Sequence, residues 1–173
     1  MYTFLLTLHV LTAVGLVGPF IVAGFTGHRA IRDHDAAATR SAAKLMTRFA
    51  IGVLAVAALG FGTLALSKDY SFRTPWVIVA ITLWLIAMGI ATGYTVPAIR
   101  GAANMIEQGV VANPAESAAE PDSPAPTLAA TGTELAAKER LDNIAGRVAG
   151  SASLVTAALT IIVILMVTHP FGK

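Results

Sequence analysis

Four long apolar segments, separated by polar connections, dominate the pattern of hydrophobic and polar positions along this chain. They cover about residues 2–25, 49–67, 76–98 and 148–168, and none of them contains Asp, Glu, Lys or Arg. A helix needs about 20 apolar residues to cross a bilayer, and each segment is close to that length. The pattern predicts an all-α, polytopic membrane protein in which residues 1–173 form one domain, a bundle of four transmembrane helices.

The two longer connections carry helical patterns of their own. Residues 36–48 are rich in Ala and Arg, with Asp33 or Asp35 as the candidate N-cap, so we expect a helix that continues into the second span. Thr131 and Glu134 have the spacing of a capping box, which predicts a similar helical start ahead of the fourth span. We expect these two helical extensions to pack on each other or on a partner.

Residues 109–133 have a different composition from the rest of the second long connection. They are rich in Pro, Ala, Ser and Glu and contain no aromatic residue. Such a segment cannot bury enough apolar surface to offset the entropy of ordering it. The composition therefore predicts a disordered cytoplasmic linker, whose end overlaps the helical start before the fourth span.

The distribution of basic residues predicts which side of the membrane each connection faces. Cytoplasmic connections carry an excess of Lys and Arg. Nine Lys and Arg residues lie in the connections 26–48 and 99–147, against three on the opposite side. We therefore expect a multi-pass protein of the inner (plasma) membrane, with both long connections in the cytoplasm and both termini outside. Several aromatic residues then lie at the outer interface: Tyr2, Tyr70, Phe72, Trp76 and Phe171.

Composition agrees with a membrane protein and narrows the candidate functions. Charged residues make up 13% of the chain, against about 25% in typical soluble domains, and the mean hydropathy is +0.71. Because the chain has no cysteine, disulfides, a thiol nucleophile and thiolate metal sites are excluded. The net charge of +2 is too small to indicate a nucleic-acid partner. Ion or proton transport is disfavoured, since apart from His9 the spans hold no acidic or basic side chain along a membrane path.

Among His, Asp, Glu, Lys and Arg, the four spans contain only His9, and intramembrane ionisable residues are candidates for function. The simplest interpretation is a neutral imidazole that forms a hydrogen bond to a group at similar depth. Those groups are Thr63, Thr82, Trp84 and Thr160.

The alternative is that His9 is an axial ligand of haem. A pair of axial histidines within one protomer is not expected, because His28 and His34 fall in the cytoplasmic connection and His169 lies at the outer end of the fourth span. A five-coordinate haem, or a site completed by a neighbouring subunit, remains open. No metal site is predicted, since the five methionines form no cluster in sequence.

Small residues form a second pattern, which predicts close helix packing. Gly15, Gly18 and Pro19 lie in the first span, where the missing N–H of Pro19 predicts a kink. Small residues spaced four apart let helix backbones approach each other within a bundle, in a dimer, or against another membrane protein. Two glycine pairs have this spacing: Gly89 with Gly93, and Gly146 with Gly150.

The chain resembles a family of small four-helix integral membrane proteins of uncharacterised function. The resemblance rests on the stretches "LHVLTAVGLVGPF" (residues 8–20) and "ILMVTHPFGK" (residues 164–173), on a basic Ala-rich connection and on a third span that begins with Trp76. The resemblance covers the four spans and leaves out residues 109–133. More distantly, a first-helix histidine followed by small residues resembles the copper-resistance D proteins and the membrane-embedded protoporphyrinogen oxidases. The latter resemblance implies haem binding at His9, although the Trp that follows the histidine in that family is absent here.

The Ala-, Val-, Gly- and Arg-rich composition is also similar to that of actinobacterial proteins, whose respiratory supercomplexes carry small helical accessory subunits. This resemblance implies a non-catalytic accessory subunit that stabilises a larger membrane assembly, a respiratory electron-transfer complex, with no cofactor of its own. Its partners would be other integral membrane subunits and lipids, and a homo-oligomer is left open. The alternative is a haem-binding membrane oxidoreductase that resembles the protoporphyrinogen oxidases.

The predicted orientation can be tested with engineered cysteines, because the natural chain has none. A Ser123→Cys variant should resist impermeant thiol reagents in intact cells and react after the cells are permeabilised. A Ser71→Cys variant, in the opposite connection, serves as the accessible control. Ready labelling of Ser123→Cys in intact cells would overturn the orientation.

Overall fold

The computed structural model describes residues 1–108 and 128–168, and all the regular structure within these ranges is helical. The elements in chain order are α1 (Tyr2–Arg32), α2 (Ala36–Ala65), α3 (Pro75–Ile90), a π-helical segment (Ala91–Thr95), α4 (Val96–Glu107) and α5 (Leu128–Thr168). Most of the predicted 109–133 linker falls outside the described residues. Helix α5 begins inside that range, at Leu128.

Four helices are long and apolar enough to cross a membrane, which confirms the predicted all-α fold with four spans. They run over Tyr2–Arg32, Ala36–Ala65, Pro75–Glu107 and Glu134–Thr168. The third is longer than the sequence predicted, because α4 continues past residue 98. Ile99, Ala102 and Ile106 are buried on one face of α4 while its other face is polar, so a hydropathy pattern does not detect this part.

The chain reverses tightly between α1 and α2. The N–H of Asp35 donates to the carbonyl of Ala30 and the N–H of His34 donates to that of Ile31, both at 3.1 Å, which is the Schellman pattern of a helix C-terminus. His34 has the left-handed conformation (φ 52°) that usually favours glycine at this position. The Asp35 side chain accepts from the N–H of Ala38 at 2.8 Å, so Asp35 is the N-cap of α2.

Small residues bring α1 close to α4 and α5 in the core. A Cβ at Gly27 would lie 2.7 Å from Cδ1 of Ile99, and one at Gly24 would lie 3.2 Å from Cβ of Ala152. Bilayer helices associate through such packing, since lipid tails are as apolar as the side chains themselves. Larger side chains fill the space around these contacts, and the fully buried ones include Phe20, Ile31, Met46, Leu141 and Val148.

The two helical extensions pack mainly on other helices of the bundle. The extension of α2 lies against α4, where Nη2 of Arg40 donates to Oδ1 of Asn104 at 3.0 Å and also pairs with Glu107. The extension of α5 packs on α1, and Nδ1 of His28 forms a 2.9 Å hydrogen bond with the carbonyl of Ala145. The sequence pattern missed α4, which covers a face of the α2 extension. Packing of the extensions on a partner stays a prediction.

The third span changes to π-helical geometry immediately before Pro97. A proline has no N–H, and its ring clashes with the carbonyl four residues earlier, here that of Gly93. In the π-helical segment the N–H of Val96 bonds the carbonyl of Ala91, five residues back, and this wider turn accommodates the ring without ending the helix. Pro19 is also inside a helix, and α1 continues through it.

The π-helical segment also carries a buried hydrogen bond between helices. Thr95 is fully buried, and its hydroxyl donates to Oγ of Ser151 on α5 at 2.9 Å. Ser151 donates in turn to the carbonyl of Val148 in its own helix at 2.9 Å. The Thr95–Ser151 bond joins the third and fourth spans at the place where the third span changes geometry.

Replacing Thr95 with valine should therefore lower the stability of the bundle. Thr95→Val keeps the shape of the side chain but removes the donor to Ser151, which should cost about 1 kcal/mol in the free energy of unfolding. SDS titration followed by circular dichroism measures this change. Thr92→Val is the matched control, since the Thr92 hydroxyl donates to the Met88 carbonyl of its own helix. Equal losses in the two variants would contradict a role for the Thr95–Ser151 bond.

Candidate functional site

His9 is buried at the end of the bundle that holds the N-terminus, with 9% of its surface exposed. Its Nδ1 lies 2.9 Å from the carbonyl oxygen of Val56 on α2. A carbonyl oxygen can only accept, so Nδ1 carries the proton of this hydrogen bond. In the neutral ring Nε2 then has a lone pair, and no described residue forms a hydrogen bond with it. The backbone of α2 therefore fixes both the orientation and the tautomer of His9.

The partner of His9 differs from the side chains that the sequence indicated. The threonine hydroxyls at similar depth bond the carbonyl four residues back in their own helices, as helical threonines do. Thr63 donates to Leu59, Thr82 to Ile78 and Thr160 to Thr156, at 2.8–2.9 Å. The expected bond between imidazole and hydroxyl is thus wrong, because Nδ1 of His9 bonds the Val56 carbonyl instead.

Gly60 is the residue that lets His9 reach the backbone of α2. A Cβ at position 60 would lie 2.9 Å from Cε1 of His9 and 3.4 Å from Nδ1. The Val56 carbonyl is the helical partner of the Gly60 N–H, and its second lone pair accepts from the imidazole. Sequence reasoning missed Gly60, because the search for glycines spaced four apart passed over it. The signal that could have found it is a glycine on α2 at the depth of His9.

His9 lines a pocket of about 330 Å³ between α1, α2, α3 and α5. Thr63 and Trp84 also line it, so two of the residues expected at the depth of His9 do share its surroundings. No acidic or basic side chain is among the described residues that line the pocket. Its wall is mostly apolar and contains the rings of Tyr2, Phe61, Tyr70, Trp76 and Trp84.

Two of these rings are held by contact with each other. Tyr70, in the connection between α2 and α3, packs edge-on against Trp76 with ring centroids 5.4 Å apart. Edge-to-face aromatic pairs of this kind are stabilised by their ring quadrupoles. The connection therefore forms one wall of the pocket, and the mostly apolar arrangement suits a flat molecule that can form a hydrogen bond with Nε2 of His9.

The residues present fit part of a haem site. Metal-bound histidines commonly donate their other N–H to a backbone carbonyl, as His9 does to Val56. His28 and His34 lie at the opposite end of α1 and do not line the pocket, and His169 is outside the described residues. Met166, Tyr2 and Tyr70 also line the pocket and are of residue types that can coordinate haem iron. In the described part of the chain, no three His, Asp or Glu residues are grouped as a metal site.

The glycines singled out in the sequence do not form close contacts within this chain. A Cβ added at any of the six would meet nothing within 4 Å, and all six are exposed: Gly15, Gly18, Gly89, Gly93, Gly146 and Gly150. The close approaches inside the bundle occur at other glycines, which the spacing rule did not identify: Gly24, Gly27, Gly52 and Gly60. Packing of the six exposed glycines against a second molecule remains a prediction.

Family models, curated proteins and solved structures give no match to this chain. The resemblances drawn from its sequence motifs therefore stay predictions, and the function must be argued from the chain itself.

The contact between His9 and Gly60 predicts that two neighbouring glycine substitutions change the stability of the protein differently. Gly60→Ala should lower the free energy of unfolding by about 1–3 kcal/mol, because the new methyl group overlaps an anchored ring. Gly62→Ala, on the same helix, would place its Cβ 3.8 Å from Leu5 and should be neutral or stabilising. Thermal unfolding in detergent measures both variants. A Gly60→Ala protein as stable as Gly62→Ala would contradict the geometry.

Proposed function

We propose that this chain is a non-catalytic membrane subunit that stabilises a larger assembly, a respiratory electron-transfer complex. The observation that carries the proposal is the set of exposed glycines, which have open space in front of them. Interfaces between membrane helices are enriched in small residues because they allow the backbones to approach. Glycine is a costly choice for a lipid-facing helical position, since it weakens the helix by about 1 kcal/mol relative to alanine.

Two of the glycine pairs lie on neighbouring helices. Gly93 precedes Tyr94 in the third span, and Gly146 precedes Arg147 on α5. The guanidinium of Arg147 lies over the Tyr94 ring, 5.4 Å from its centroid, so these parts of the two helices are adjacent. A cation over an aromatic ring is attracted by its quadrupole. The adjacent helices thus offer small residues to an incoming helix from another subunit, or from a second copy of this chain.

We place the protein in the inner (plasma) membrane with both termini outside. The support is the excess of Lys and Arg at the opposite end of the bundle, on the connections 26–48 and 99–147. Exposed basic side chains there, such as Arg29, Lys44 and Arg48, would contact anionic lipid headgroups. Lipids and integral membrane subunits are accordingly its partners.

Haem binding is the second candidate, and the anchored imidazole of His9 favours it. It ranks second because the described lining of the pocket supplies no second imidazole and no basic side chain to pair with the haem propionates. If haem were bound, Nε2 of His9 would be the axial ligand, and the Val56 carbonyl would hold the ring in place.

Bulky residues at the exposed glycines should release the chain from its complex. In mild detergent, identified respiratory subunits should co-purify with the natural chain and be lost with Gly93→Leu or Gly150→Leu. Ala55→Leu, at an exposed position on α2, is the control and should retain them.

Two results would count against the proposed function. Purification of the natural chain alone, from membranes in which the respiratory complexes remain intact, would contradict it. A stoichiometric Soret absorption band that disappears in His9→Ala would support the haem-binding alternative instead.

A further inference from the structure

We propose that the His9 pocket binds a lipid-soluble quinol, the reduced form of an isoprenoid quinone, through a hydrogen bond from its hydroxyl to Nε2 of His9. The choice of a quinol rests on the proposed place in a respiratory complex, where quinols are the electron carriers dissolved in the membrane. The chemistry of the pocket is independent of that function: it favours a flat, mostly apolar molecule that offers a hydrogen-bond donor to Nε2.

The unpartnered nitrogen of His9 is the first argument. Nδ1 donates to the Val56 carbonyl at 2.9 Å, so in the neutral imidazole Nε2 can only accept. A charged imidazolium would have no acidic partner among the described residues that line the pocket. A polar atom held in an apolar cavity is costly unless a ligand or water satisfies it. The pocket therefore offers an acceptor to a donor, such as a hydroxyl, on its occupant.

The same tautomer distinguishes the two redox forms of a quinone. A quinol has hydroxyl groups and can donate a hydrogen bond to Nε2. The oxidised quinone has only carbonyl oxygens, and these cannot form a hydrogen bond with Nε2, since both atoms are acceptors. Because Gly60 leaves the ring against the backbone of α2, the imidazole cannot rotate to offer Nδ1 without losing the Val56 bond. The site is therefore expected to prefer the reduced form.

The walls of the pocket suit the ring of the occupant. Its volume of about 330 Å³ is at the lower end of the range usual for small-molecule sites. The ring of a quinol can stack on or meet the edges of Trp76, Trp84 and Tyr70. The apolar residues of α5 along the pocket, Leu159, Ile162 and Val163, would contact methyl groups or the start of an isoprenoid tail.

Intrinsic fluorescence gives a direct test, because the chain has two tryptophans and both line the pocket. The full-length protein in detergent is titrated anaerobically with duroquinol and, separately, with duroquinone. We expect saturable quenching with duroquinol and about tenfold weaker binding of duroquinone, the difference that one hydrogen bond makes. His9→Phe, which keeps an aromatic ring but has no acceptor, should bind both forms equally. Gly60→Ala, which displaces the imidazole, should also lose the preference.

Controls separate binding from folding and from the proposed function. Gly93→Ala lies away from the pocket and should retain the preference, while circular dichroism verifies that each variant is folded. Equal or tighter binding of duroquinone to the natural protein, or a preference that survives in His9→Phe, would overturn the proposal. So would haem bound to His9, or a phospholipid that duroquinol does not displace. If the natural protein prefers duroquinol but no respiratory subunits co-purify with it, the accessory role is contradicted and the quinol proposal stands.

Discussion

The hydrogen bond between Nδ1 of His9 and the Val56 carbonyl is the interaction on which the site depends. Inside a bilayer, polar groups must find partners within the protein. Helical threonines meet this demand in their own helices, as Thr63 does with Leu59. An imidazole cannot reach its own backbone in that way, so His9 uses a carbonyl of the neighbouring helix. That choice sets its tautomer and leaves one acceptor nitrogen at an apolar pocket.

The bond between His9 and the Val56 carbonyl can form because α1 and α2 lie close together. Gly60 clears the surface of α2 for the ring, while Gly24 and Gly27 hold the other half of α1 against α5 and α4. The third span remains continuous past Pro97, because the wider turn of the π-helical segment leaves room for the proline ring. In the same segment, Thr95 donates a hydrogen bond to Ser151 on α5. These local contacts help to determine how the four spans fit together.

Much of the fold could be predicted from the sequence, because crossing a bilayer imposes a length and an apolar composition that a hydropathy pattern detects. The depth of His9 beside Thr63 and Trp84 was also predictable from helix geometry. The amphipathic part of α4 was not, since half of its surface is polar. The role of Gly60 was also missed, because the spacing rule did not look for a single glycine at the depth of His9 on the facing helix. The spacing rule instead selected glycines such as Gly93 and Gly150, which lie on the outside of the bundle.

Solid-state NMR of ¹⁵N-histidine-labelled protein in lipid bilayers tests the central claim most directly. The His9 signals can be assigned by their absence in His9→Phe, since the chain has four histidines. The account predicts a protonated Nδ1 in contact with the Val56 carbonyl carbon and, in the neutral ring, an unprotonated Nε2. A neutral ring with its proton on Nε2 and not on Nδ1 would contradict it.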